Sequence, residues 1–390
     1  MSPIDQLDEY SLLAARIEYL REEVGRAEHI FSNAGIDPQL RHRVEIPFEK
    51  LFEDQRRQLD AIRLDPSDKQ SFAECLKKFE SIRQACTPLF RECLALVQGA
   101  LSRAAGLDDG LCVIADHLLD DLSRLVNIHW GRFTILAEGE SYVDMAQVIR
   151  LRFPGFNIWN LPLVAHEFGH FVARELRHKN IDGTYSYPIV AYAKKESRSH
   201  PAEEKYIPER FADLFAIYSL GPAFACACVL LPFDPSTATE AGQTHPSEAE
   251  RVYSMLKALE LTDVPANVWN YHGVIQSLKG TWQPSLVAAG SKPDLDDDTK
   301  KLLDVRTEFM YGRLLEEAPT ARYQSWSAAV NLATQLGSDR DTIVPPGASV
   351  ADVLNGAWLW RVNHWNESPS RVGRIGAAAM EASLKIMSWT

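Results

Sequence analysis

Between Asn160 and Glu175 the chain reads NLPLVAHEFGHFVARE, and this segment constrains the fold more than any other. Leu163, Val164, Phe168, Phe171 and Val172 make it apolar around most of its circumference, which predicts a buried helix. Asn160 suits the N-cap and Pro162 the first turn, where a missing N–H costs nothing. A buried helix has no packing reason to carry His166, Glu167 and His170. The two histidines, four residues apart, project from one face, and both imidazoles can reach a single zinc ion at about 2.0–2.1 Å. Glu167 lies about 100° round the helix, beside such an ion, where it can take a proton from a water that the metal activates. The competing reading is a pair of hydrogen-bonded core histidines next to a chance glutamate.

A catalytic zinc site takes three protein ligands and leaves a fourth position to water. The metzincin continuation would put Gly at 173 and His at 176; the chain has Ala173 and Leu176, so that version is excluded. The gluzincin alternative draws a glutamate from a later helix. Residues 208–216, PERFADLFA, supply Glu209 as the ligand, with Pro208 suited to a helix start and Phe211, Leu214 and Phe215 packing beneath. Asp213, one turn on, could accept the free N–H of a ligating histidine and fix its tautomer. The plainer reading is two helix-surface carboxylates, which at that spacing repel by about 0.2–0.5 kcal/mol unless something positive lies nearby. Residues 244–252, THPSEAERV, form a polar loop leading into a helix. His245 can be presented into a cleft to hydrogen-bond an oxyanion, or can be an ordinary exposed loop histidine.

Around this centre the periodicity is helical. Tyr10, Leu13, Ile17, Leu20, Val24, Ala27 and Phe31 alternate steps of three and four, one apolar seam that predicts a helix packed against partners within the same domain. Residues 68–101 predict another helix, kinked or split at Thr87-Pro88, and residues 109–126 a third with Ile114, Leu118, Leu122 and Leu125 on one face. Strand character follows at 132–137, 147–153 and 187–193, and from about Ser247 the pattern is helical again, with breaks near 289–293 and 337–347. The expected organisation is mainly α (α+β): an N-terminal helical domain over 1–128, a core with a small sheet over 129–260, and a helical region over 261–390 packed on that core.

Composition narrows the function classes. Of 390 residues 53 are acidic and 41 basic, a net charge of −12 with no long Lys/Arg run, which disfavours nucleic acid as a partner. The N-terminus has charges where a signal peptide needs an apolar run. Residues 211–233 are interrupted by Asp213 and Gly221-Pro222, so they predict two short buried helices and no membrane span. Cysteines 75, 86, 93, 112, 226 and 228 form no CxxC pair, the pattern of a reduced, cytoplasmic protein with no cysteine zinc site. His178, His200 and His272 read as solvent-facing, Asp294 to Asp298 as a solvated helix start, and the segment containing Trp358, Trp360 and Trp365 as core.

HEFGH, ERFAD and HPSEAER together resemble the three signature blocks of gluzincin zinc metallopeptidases. They are most similar to the HtpX and CAAX-prenyl-protease group, and ERFADLFA is also similar to the ImmA/IrrE-type peptidases. The resemblance covers residues 160–252, about a quarter of the chain, and the membrane helices of the HtpX-like enzymes are missing. It implies a zincin-like core with Zn2+ at His166, His170 and Glu209, Glu167 as catalytic base, Asp213 behind the ligands, and carried-over roles for His245 and Arg251. The implied activity is peptide-bond hydrolysis, with 147–153 as the candidate edge strand for substrate and Tyr185, Tyr187 or Tyr192 as candidate helpers at the oxyanion. The flanking helical regions could recognise one particular protein, either a substrate or a regulatory partner, which favours a selective endopeptidase. The alternatives are a helical scaffold with a structural or vestigial zinc site and a zinc hydrolase acting on a non-peptide amide.

Overall fold

The computed structural model describes residues 9–36, 38–64, 69–131, 133–138, 141–143, 148–152, 157–263, 271–338 and 342–388. The chain is mainly helical and divides into two compact units, residues 1–109 with 131–150 and residues 110–130 with 151–390. That division differs from the three parts expected, with boundaries after 128 and 260, because the chain enters the second unit twice.

In the first unit α1 (Glu9–Asn33), α2 (Pro38–Asp60) and α3 (Lys69–Ala104) pack on one another. The three-and-four seam of α1 is the buried face: Tyr10, Leu13, Ile17, Leu20, Val24 and Phe31 are buried and Ala27 packs on the same core. Its partners are Phe48 and Phe52 of α2 and Phe79 and Leu89 of α3, with the Phe31 and Phe48 rings stacked at 5.0 Å. The split expected at Thr87-Pro88 does not occur. Cys86 and Leu89 are buried on either side in that one core, and their packing offsets the roughly 3 kcal/mol that an interior proline costs.

A small sheet completes this unit, with strands β1 (Thr134–Ala137), β2 (Ser141–Val143) and β3 (Val148–Arg152) in the order β1-β3-β2. β2 runs antiparallel to β3, with Tyr142 opposite Ile149. β3 is therefore the central strand, flanked on both sides, and is not the free edge expected of 147–153. Arg132, Gln147 and Phe153, the ends of the expected strands, lie outside the described residues, as do Pro154 and Gly155.

The second unit begins with α4 (Leu111–Val126), whose buried face includes Ile114, Leu118 and Leu122. Leu125, expected on that face, is exposed, and Val126 takes the buried place one step round. After α5 (Leu163–Glu175) come a hairpin of β4 (His178–Lys179) and β5 (Tyr185–Ser186), then α6 (Pro188–Glu196), α7 (Glu203–Leu220) and α8 (Pro222–Leu230). The strand expected over 187–193 is thus helical. Pro188 sits at the helix start, where its fixed φ is pre-set, and Ile189 and Ala193 bury one helical face. α5 starts at Leu163, one residue past Pro162, and Asn160 belongs to the turn before it.

Pro208, expected to begin a helix, lies inside α7. The carbonyl it leaves unbonded is that of exposed Glu204, where water can replace the lost donor. α7 and α8 break at Gly221 as expected. Its φ of 69° is left-handed, and a Cβ there would lie 2.7 Å from the Tyr323 ring. The remainder is α9 (Glu248–Thr262), α10 (His272–Ala288), α11 (Asp297–Glu317), α12 (Trp326–Leu336), α13 (Val350–Asn363) and α14 (Pro369–Met387). Asp296 caps α11 by accepting from the Thr299 N–H, the solvated start expected of the acidic run. Trp358 and Trp360 are core, whereas Trp365 is exposed. Among the described residues no helix is long and apolar enough to cross a membrane.

Phe48 is fully buried at the meeting of α1 and α2. Phe48→Ala should destabilise the chain by about 3–5 kcal/mol, read as a lowered urea midpoint; an unchanged midpoint would contradict the packing described here.

Candidate metal centre

The site forms where α5 crosses α7. Gly169 permits the crossing: a Cβ there would lie 2.8 Å from the Cα of Ala212 and 3.1 Å from its Cβ, a separation that side chains do not tolerate. With the two backbones this close, His166 and His170 of α5 face Glu209 of α7. The Nε2 atoms of the two histidines are 3.2 Å apart, and each is 3.5 Å from a Glu209 oxygen, His166 from Oε2 and His170 from Oε1. The three side chains offer ligand atoms within 4.8 Å of one another and so could hold one metal ion. His166 also stacks on the Phe224 ring of α8, 5.8 Å away and 10° from parallel, which fixes its plane.

Behind the trio lies a charged pair. Asp213 Oδ1 is 2.8 Å from His166 Nδ1, without meeting hydrogen-bond geometry, and both Asp213 oxygens accept from Arg251 of α9, Nε at 2.8 Å and Nη2 at 2.7 Å. Burial opposes the Asp213 charge, but the Arg251 guanidinium overcomes this and holds its carboxyl well below the usual carboxylate range. Burial likewise opposes a charge on His166, yet the carboxylates of Asp213 and Glu209 raise it to about 10. His170 goes the other way, lowered to about 4 by burial first and by His166 second. Glu209 is lowered despite burial, because the imidazoles favour its ionised form.

Glu209 Oε2 is buried and has no hydrogen-bond partner. A buried orphan carboxylate oxygen costs about 1–3 kcal/mol or more, and the two imidazole nitrogens beside it, 3.2 Å apart, can share only one proton between them. A cation among them would satisfy all three, and two nitrogens plus one carboxylate oxygen is a donor set that zinc accepts. The residues fit a metal ion.

His245 lies in the loop before α9, which starts with the Ser247 side chain accepting from the Glu250 N–H. Its Nε2 is 3.4 Å from Glu209 Oε1, its Nδ1 is 2.7 Å from Thr244 Oγ1, and its side chain is 52% exposed against 10% for Glu209. Glu167 follows His166 on α5, half-buried and close enough for its charge to help raise the His166 pKa. Of the candidate tyrosines, Tyr192 packs on Phe309 at 4.2 Å and Tyr185 lies under Arg177, while Tyr187 is exposed just before α6. His178, expected to face solvent, has a side chain 41% exposed, 2.6 Å from Glu317, and forms a second group with Glu316.

One element of the site has no counterpart in the sequence motifs. Arg210, next to Glu209, is buried and holds Glu203 at 2.6 Å and Glu250 at 2.7 Å; Arg306 of α11 holds the same Glu203 at 2.9 Å and Glu196 at 3.2 Å. This cluster clamps α7 to α6, α9 and α11 beside the ligand. The signal available in advance was Glu203 and Arg210 at i, i+7, on one face of a helix otherwise rich in aromatic and aliphatic residues.

Comparison with protein-family models, curated proteins and solved structures finds no match to this chain.

Two predictions follow from this geometry. Gly169→Val should force α5 and α7 apart, lowering stability by about 1–3 kcal/mol and abolishing stoichiometric metal uptake; retained uptake would refute the role given to the close crossing. With the His166 pKa raised and that of His170 lowered, a Zn2+ titration near pH 7.5 should release about one proton per chain, and affinity should rise about tenfold per pH unit between 7 and 9. Proton release in a weakly buffered titration measures it, and pH-independent binding would contradict it.

Proposed function

We propose that the chain is a zinc-dependent metallopeptidase of the gluzincin type, with a zincin-like core around α5 and α7, acting as a selective endopeptidase on a particular protein substrate. The observation that carries this reading is the meeting of His166, His170 and Glu209 around an orphan carboxylate oxygen, with Glu167 beside them. His166, His170 and Glu209 would hold the ion. When bound, zinc supplies Lewis-acid polarisation of the scissile carbonyl and acidification of the attacking water.

The remaining chemistry belongs to the chain. Glu167 accepts the proton of the attacking water and returns it to the leaving amine. Asp213 keeps the His166 proton on Nδ1, leaving Nε2 as the ligand atom, and Arg251 keeps Asp213 ionised for that purpose. His245, exposed on its loop where a substrate can meet it and braced by Thr244, donates to the oxyanion of the tetrahedral intermediate. The net charge and the lack of a Lys/Arg run suit a protein partner better than a nucleic acid. We assign the chain to the cytoplasm on its cysteine pattern.

A second reading, a scaffold with a structural zinc site, draws on the near-complete burial of His166 and Glu209, whose side chains are 9% and 10% exposed. Glu167 separates the two, since a structural site needs no general base. Glu167→Gln should retain about one zinc per chain and lose about 10²–10⁴-fold in turnover, measured as new N-termini generated from a proteome incubated with parent and variant. A variant that cleaves at the parental rate would exclude Glu167 as the base. A parent that binds zinc and generates no new N-termini would favour the scaffold.

A further inference from the structure

We propose that the cavity between α9, α10 and the segment leading into α11 is a binding site for a free amphipathic carboxylate of medium chain length. The cavity encloses about 380 Å³, close to a dozen water-sized volumes of about 30 Å³ each, which suits an acyl chain of some ten carbons. Its floor is apolar and buried, made of Val252, Leu256, Trp282 and Leu286. Around that floor stand Lys257, Lys279, Lys292 and Lys300, four cations against the two carboxylates of Glu260 and Asp294, in a chain of net charge −12.

The rim is already adapted to carboxylates. Lys279 holds Glu260 at 2.9 Å, Lys300 holds Asp294 at 2.6 Å, and Lys257 lies 3.0 Å from Glu308 and 3.6 Å from Asp304. Lys292 is exposed and makes no ion pair among the described residues. The paired lysines are half-buried but most of their carboxylate partners are exposed, so these pairs contribute modestly, and an incoming carboxylate can settle on Lys292 and draw on the neighbouring lysines. The floor selects the tail and the rim selects the head. A neutral molecule of the same length gains only the first, and a short anion only the second.

The site does not depend on the peptidase reading, but it is physically continuous with the metal centre. The Trp282 ring on its wall lies 6.3 Å from Phe233, Arg251 sits 5.0 Å over Phe233, and Arg251 holds Asp213.

The test is calorimetric titration of the full chain with sodium decanoate below its micellar concentration, with 1-decanol and acetate as comparators. Saturable binding of about one decanoate per chain is expected, with decanol at least about tenfold weaker and acetate not saturable. Lys292→Glu, a change at an exposed residue, should weaken decanoate at least about fivefold with an unchanged circular dichroism spectrum. Leu286→Trp, which fills the floor, should abolish binding. Absence of saturable decanoate binding, equal affinity for decanol, or parental affinity in Lys292→Glu would each overturn the proposal.

Discussion

The contact on which the centre depends is the crossing of α5 over α7 at Gly169 and Ala212. Imidazole and carboxylate side chains are short, so three of them share one ion only if the backbones that carry them approach closely. At this crossing the absence of a Cβ on Gly169 and the small side chain of Ala212 allow that approach. The spacing of His166 and His170 along α5 then does the rest, because the two rings already share a face. The aromatic residues around the crossing, Phe168, Phe211, Phe215 and Phe224, fill the space on either side and keep it dry.

Dryness has an electrostatic cost, and the arrangement of charges shows how it is offset. An aspartate as buried as Asp213 would tend to take up a proton; two hydrogen bonds from Arg251 keep it charged. The same device recurs a turn away, where Arg210 and Arg306 bracket Glu203. Both arrangements tie α7 to neighbouring helices through groups that would be very unfavourable if left unpaired. They specify position more than they add stability, since buried ion pairs seldom outperform well-packed apolar residues. Glu209 stands between the two clusters, so its helix is held on both sides.

Much of this was legible in the sequence, and the exceptions share a cause. The shared face of His166 and His170 depends only on helix geometry, whereas Glu209 was expected beside them from the resemblance of ERFAD to a gluzincin block; the buried seam of α1 and the break at Gly221-Pro222 were also legible. The misread elements turned on prolines and on long-range packing. Pro88 is accommodated inside its helix because the packing around it outweighs its local cost, and Pro208 because the carbonyl it leaves unbonded, that of Glu204, is exposed to water. Residues 187–193 are rich in β-formers, but Pro188 and the contact of α6 with α7 decide for helix. The carboxylate partners of Arg210 and Arg306 come from α6, α7 and α9, and beyond the Glu203–Arg210 spacing no local pattern announces which charges will be enclosed together. The central place of β3 was equally hidden, since strand order is a property of the whole sheet.

The double passage of the chain between the two units has a practical corollary for genetic dissection. A fragment beginning at residue 151 would omit α4, although α4 packs on α5, α13 and α14 and buries Ile114, Leu118 and Leu122 among them. Such a fragment would expose an apolar groove where a native helix belongs and would be prone to aggregate. Separating the units cleanly calls for a circular permutation or an internal splice that carries 110–130 along with the larger piece.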